Sequence, residues 1–145
     1  MCECCKNIRW GKVLLCAVIF TVIAQVIHMI SAQLSMSFYM DPSLMNIWSK
    51  LMMPKEGPPP PSFFIFSILL SFVTGVILAK LYDFMRKSGV SFMCFFMTIL
   101  ALSIVFGSLP MLLCVNVPIK LQLIWFLETV VIYLVSFMIF AKIMK

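Results

Sequence analysis

Two ionisable side chains lie inside long apolar stretches of this chain, His28 in the first stretch and Glu128 in the last. An ionisable group in such surroundings is costly to bury, so it marks the first place to look for function. An imidazole beside a carboxylate could pass a proton, bind a cation or act as a general base. Gln25 lies one helical turn before His28 and would share its face.

These side chains can meet only if the helices that carry them place them at the same depth. At 1.5 Å per residue, His28 lies about 22 Å above the start of its stretch and Glu128 about 20 Å above the end of its own. The same arithmetic places three further polar residues at about 18 to 20 Å: Gln25, Ser71 and Ser103. The sequence therefore predicts one polar layer. Such a layer could be a proton or cation path, a catalytic site, or hydrogen bonds that hold the helices together.

Three cysteines in the opening CECCK motif, Cys2, Cys4 and Cys5, are candidates for a soft-metal site. A zinc site needs four ligands, and no histidine lies near these three thiols. S-acylation beside a membrane and plain unmodified thiols are the other two interpretations. No cofactor is predicted. The sequence motifs of ATP hydrolysis, zinc proteases and serine hydrolases do not occur.

The composition identifies the class of protein that holds these residues. Of the 145 residues, 63% are hydrophobic and 11% are charged, whereas soluble domains are about 25% charged. The mean hydropathy is +1.13. The chain is therefore predicted to be an integral membrane protein with a single domain. Its net charge of +6 does not indicate nucleic-acid binding, because the basic residues are scattered at the ends of apolar stretches.

An all-α membrane domain with four transmembrane helices is predicted. The spans are expected at about 13–33, 63–82, 90–109 and 121–141, each close to the 20 residues that cross a bilayer. Pro110 is expected to end the third span. Eight of the 11 lysines and arginines fall on the side of the two termini, which predicts cytoplasmic termini and a location in the inner or plasma membrane of the cell.

The connection between the first two spans is the only long one. Asp41 is a natural N-cap with Pro42 after it, and apolar residues then recur at helical spacing. We expect an interfacial amphipathic helix at about 42–53 on the outer leaflet, followed by a proline-rich linker at 54–61.

Four short stretches carry a resemblance that covers most of the chain: NIRWGKVLL at 7–15, NIWSKLMMPKEGPPPP at 46–61, GVILAKLY at 75–82 and IWFLE at 124–128. With them, the chain resembles a group of small, uncharacterised prokaryotic membrane proteins with four spans. The resemblance implies the architecture. The group has no established activity to transfer.

Three functions stay open at this point. The leading hypothesis is a non-enzymatic subunit, scaffold or homo-oligomer of a membrane assembly, with the lipid bilayer and other membrane proteins or further copies of itself as partners. The second is a small transporter or channel for protons or a cation that uses Gln25, His28 and Glu128. The third is a membrane enzyme that acts on a lipid-like substrate, with His28 or Glu128 as general base.

Overall fold

The structure, a computed structural model, describes residues 9–44 and 60–145. Within them it contains helices and no strands. Four helices are long and apolar enough to cross a membrane: α1 (Trp10–Leu34), α2 (Pro61–Lys87), α3 (Phe92–Cys114) and α4 (Ile119–Ile143). The chain is a multi-pass integral membrane protein. The cysteine candidates Cys2, Cys4 and Cys5 lie outside the described residues.

Local sequence signals explain where the helices begin and end. α2 begins at Pro61, where the missing N–H of proline has no helical partner to lose. It ends in a turn in which Gly89 has a φ of +78°, a conformation that glycine adopts without strain. The hydroxyl of Ser91 then accepts a hydrogen bond from the Cys94 N–H at 3.2 Å and caps α3. This short turn joins α2 to α3.

α3 continues through Pro110, contrary to the prediction that the third span ends there. It consists of a regular segment (Phe92–Ser103), a π-helical turn (Ile104–Ser108) and a final segment (Leu109–Cys114). Proline lacks an N–H, and its ring would clash with the carbonyl four residues earlier in a regular helix. The wider π-helical turn lies directly before this position and accommodates the ring, so the helix is deformed and not ended.

α1 packs along α2 on one side and along α4 on the other, and α3 packs mainly on α4. Gly75 of α2 allows the closest approach, because a Cβ atom there would lie 2.9 Å from the Cα of Ala17 in α1. Small residues let two backbones approach in this way within a membrane. Gly75 therefore serves the packing of two helices of the same chain.

Aromatic rings fill the interior on one side of the polar residues. Phe95 and Phe137 have ring centroids 4.9 Å apart, and Tyr82 and Phe95 lie 5.4 Å apart, both in edge-to-face geometry. Phe137 also stacks on Tyr133 at 5.7 Å. We call these four rings, together with Phe20 and Phe140, the aromatic cluster. It closes the centre of the bundle toward the end where Arg9 and Lys145 lie.

That end, which we call the basic end, is held together by Asp83. Its carboxylate lies 2.6 Å from the Lys87 ammonium, 3.3 Å from Arg9 and 3.6 Å from Arg86. Arg9 also donates to the main-chain carbonyl oxygens of Met144 and Lys145. Asp83 would pass for a solvated boundary residue by its place at the end of a helix, yet its side chain is 5% exposed.

At the opposite end, α1 is followed by one helical turn (Met36–Tyr39) and one 3-10 turn (Pro42–Leu44). The Asp41 carboxylate accepts hydrogen bonds from the Ser43 hydroxyl at 2.7 Å and the Ser43 N–H at 2.9 Å. These bonds hold the pKa of the Asp41 carboxyl below its ordinary value. The rest of the expected interfacial helix, 45–53, and residues 54–59 of the expected linker lie outside the described residues.

Candidate functional site

His28 and Glu128 meet across the interface of α1 and α4. The Nδ1 atom of His28 contacts the Oε1 atom of Glu128. The Glu128 side chain is 8% exposed, whereas the His28 side chain is 49% exposed. In its neutral form the imidazole donates through Nδ1, which leaves Nε2 as an acceptor toward the exterior. The pair thus joins a buried carboxylate to a ring that reaches the surface of the bundle.

Gln25 belongs to a second group, between α1 and α2. Its amide nitrogen donates to the hydroxyls of Ser67 and Ser71 in α2, both at 3.1 Å. Ser71 is one of the five predicted residues, whereas Ser67 was not predicted. Ser67 precedes Ser71 by one helical turn, so the spacing alone could have indicated that both hydroxyls face α1.

Ser103 belongs to a third group, between α3 and α4. Its hydroxyl oxygen lies 3.0 Å from the Ile99 carbonyl oxygen and 3.2 Å from the hydroxyl oxygen of Tyr133. The five residues of the expected layer are therefore distributed over three hydrogen-bonded groups: His28 with Glu128, Gln25 with Ser71, and Ser103 with Tyr133.

A cavity of about 190 Å³ brings residues of all three groups to one space. His28, Ser71 and Tyr133 line it, together with the hydroxyl-bearing residues Thr74 and Thr129. Several water molecules would fit, since one occupies about 30 Å³ in the liquid. Phe20 and Tyr133 of the aromatic cluster form part of the cavity wall.

A larger cavity of about 340 Å³ lies between α3 and α4, next to the π-helical turn. Thr129 and Tyr133 line both cavities. The wall of this larger cavity was not predicted from the sequence. The signal was a stripe along one face of α4 at spacings of three and four residues: Gln122, Trp125, Thr129 and Tyr133. Because Trp125 and Tyr133 resemble lipid-facing aromatic residues, the stripe does not stand out as polar in the sequence.

Within 9–44 and 60–145, the structure contains no group of three or more histidine, cysteine or acidic residues that could hold a metal ion. Cys16 is buried, and Cys94 and Cys114 are exposed on α3. The soft-metal site at Cys2, Cys4 and Cys5 stays a prediction.

Comparison with known proteins returned no match. No protein-family model, no curated protein and no solved structure is similar to this chain. The resemblance to four-span prokaryotic membrane proteins stays a prediction.

Proposed function

We propose that this protein is a non-enzymatic component of a membrane assembly, a subunit, scaffold or homo-oligomer in which a neighbouring helix covers His28. One observation carries the proposal: the half-exposed ring of His28 lies on a face that is otherwise apolar. Val26, Met29 and Ile30 around it are between 51% and 66% exposed. A polar ring that faces lipid is costly, and a polar group on a partner helix would relieve that cost by binding Nε2.

The experiment is purification in a mild detergent, with light scattering for the mass and mass spectrometry for the composition. We expect a particle larger than one chain of 16.6 kDa, and we expect His28→Leu to reduce it to the single chain. Gln33→Leu is the matched control, because Gln33 is also exposed on α1 and should leave the particle unchanged. A wild-type protein that elutes as a lone chain would contradict the proposal.

A second candidate, a proton or cation transporter, is favoured by the contact of His28 with Glu128 beside a cavity of about 190 Å³. The aromatic cluster weighs against it, since flux would require those rings to separate. Proteoliposomes with an internal pH dye and an imposed potential test this candidate. Acidification that Glu128→Gln and His28→Ala both abolish would establish transport, and a rate equal to that of empty vesicles would exclude it.

The proposed orientation has both termini in the cytoplasm and the protein in the inner or plasma membrane. Its support is the gathering of Arg9, Lys12, Arg86, Lys87 and Lys142 at the basic end, following the positive-inside rule. A fluorescent reporter that matures only in the cytoplasm should be bright when fused after Lys145. A phosphatase that is active only outside should be inactive at the same place, and the reverse pattern would invert the orientation.

We also propose that residues 42–53 form an interfacial helix at the end opposite the basic end. The hydroxyl of Tyr39 accepts a hydrogen bond from Trp125 Nε1 at 3.0 Å, which ties the start of this connection to α4. Brominated lipids should quench Trp48 at headgroup depth, measured as the difference between wild type and Trp48→Phe. Equal quenching in the wild type and in Trp48→Phe would contradict the proposed interfacial helix.

A further inference from the structure

The cavity of about 340 Å³ between α3 and α4 has a wall without charge. The side chains that line it are hydroxyl, amide, aromatic, thioether and glycine groups, and the described residues place no carboxylate, lysine or arginine among them. Its volume falls within the range of small-molecule pockets. It lies between two membrane-spanning helices, where lipids of the bilayer are the nearest small molecules.

The hydrogen bonds of the wall determine what such a molecule must offer. The Ile99 carbonyl can only accept, so the single proton of Ser103 goes to it, and Tyr133 supplies the proton of the bond to Ser103. The hydroxyl of Thr129 donates to the Trp125 carbonyl at 2.9 Å. Tyr133 and Thr129 therefore present oxygen lone pairs to the cavity, and their partner must donate hydrogen bonds.

Two classes of lipid head are disfavoured by this wall. A phosphate head carries a negative charge, and no lysine or arginine of the described residues lines the cavity to balance it. An ammonium head donates hydrogen bonds, but no carboxylate of the described residues lines the cavity to balance its charge, and Lys120 is two residues from Gln122. An uncharged hydroxyl donates without that electrostatic cost.

The π-helical turn supplies an independent observation. Such turns occur frequently at functional sites, and here Gly107 and Ser108 of the turn form part of the cavity wall. A Cβ atom at Gly107 would have no atom within 4 Å, so the turn leaves space where a side chain would otherwise stand. Beside it, Phe106 is 77% exposed and Leu113 is 73% exposed, which gives an acyl chain an apolar surface to follow.

We propose that this cavity binds the glycerol head of a neutral glycerolipid with a free hydroxyl, a mono- or diacylglycerol. The lipid hydroxyl donates to the hydroxyl oxygen of Thr129, and its ester carbonyls accept from the hydroxyl of Ser108 and the amide of Gln122. This site is separate from the His28 face and does not depend on the proposed assembly.

The test uses the full chain in phosphatidylcholine nanodiscs that contain a photoactivatable diacylglycerol. After irradiation we expect cross-links within 103–133. Gly107→Leu fills the open space and should reduce them at least fivefold, whereas Gly11→Leu, also without a neighbour within 4 Å of its Cβ, should leave them unchanged. Thr129→Val removes one acceptor at equal volume and should reduce the cross-links at least threefold. This variant tests the proposal on its own if Gly107→Leu does not fold.

Three results would overturn the proposal. One is the absence of cross-links in this region. Another is labelling of Thr129→Val at the wild-type level. The third is equal labelling by a photoactivatable phosphatidylglycerol, because no lysine or arginine of the described residues lines this wall to balance the charge of its phosphate.

Discussion

Arg9 and Asp83 meet at the basic end, with the guanidinium Nη2 atom 3.3 Å from the carboxylate Oδ1 atom. The same guanidinium reaches the main-chain carbonyls of Met144 and Lys145. Arg9 therefore connects the start of α1, the end of α2 and the end of α4. Because the Asp83 side chain is only 5% exposed, its charge depends on these partners.

Asp83→Asn should destabilise the protein by roughly 1 to 3 kcal/mol, since hydrogen bonds to a charged group are stronger than those to a neutral amide. The measurement is unfolding in detergent, followed by circular dichroism. Asp41→Asn makes the same chemical change at a carboxylate outside the bundle, and it should stay within about 0.5 kcal/mol of wild type. Equal effects at the two positions would mean that the contacts of Asp83 add nothing to stability.

The contact of His28 with Glu128 predicts an energetic coupling between the two side chains. In a double-mutant cycle, His28→Ala and Glu128→Ala should couple by about 0.6 kcal/mol and at most about 1.7 kcal/mol, the range found for such bonds in membranes. The measurement is the free energy of unfolding of each variant by SDS titration. Thr98→Ala is the control partner, because the Thr98 hydroxyl donates within its own helix; its cycle with Glu128→Ala should be additive. Additivity in the first cycle as well would contradict the pairing.

Gly75→Ala should destabilise the bundle even though alanine favours a helix. The added methyl carbon would lie 2.9 Å from Ala17 Cα, and this overpacking costs about 1 to 3 kcal/mol. Gly11→Ala adds the same atom in open space and should be neutral or stabilising. The midpoint of thermal unfolding distinguishes them, and a midpoint for Gly75→Ala at or above the wild-type value would show that α1 and α2 do not approach this closely.

Pro110→Ala should convert the π-helical turn to regular helix, because it restores an N–H and removes the ring. Amide exchange of residues 104–108 should slow at least about tenfold, since a proline inside a helix costs about 3 kcal/mol. Hydrogen exchange with mass spectrometry measures this change. Pro118→Ala replaces the proline before α4 and should leave the exchange of 104–108 as it is. Unchanged amide exchange in Pro110→Ala would show that the π-helical turn does not depend on the proline.

Hydropathy predicts the four spanning helices of this chain, because a bilayer demands about 20 apolar residues wherever it is crossed. Simple counting along two helices also gives His28 and Glu128 the same depth. Counting gives depth and not direction around a helix, however. That is why Gln25 shares a depth with Glu128 but bonds to Ser67 and Ser71 of α2.

Two features depend on packing between helices and escape any local pattern. Pro110 resembles a helix end in sequence, and only the π-helical turn before it allows α3 to continue. Asp83 resembles a solvated residue, and its burial requires Arg9, 74 residues away. The larger cavity likewise needs the stripe on α4 to face the deformed part of α3.

The basic end also sets an order of events during synthesis. Arg9 cannot reach the Met144 carbonyl until 135 further residues have been made, which takes about 7 to 27 s at 5 to 20 residues per second. During that interval α1 and α2 can pack together through Gly75 and Ala17. The face of α1 that packs on α4 is not yet covered by it, and His28 has no contact with Glu128. Until α4 arrives, this face of α1 is in contact with lipid or with another membrane protein.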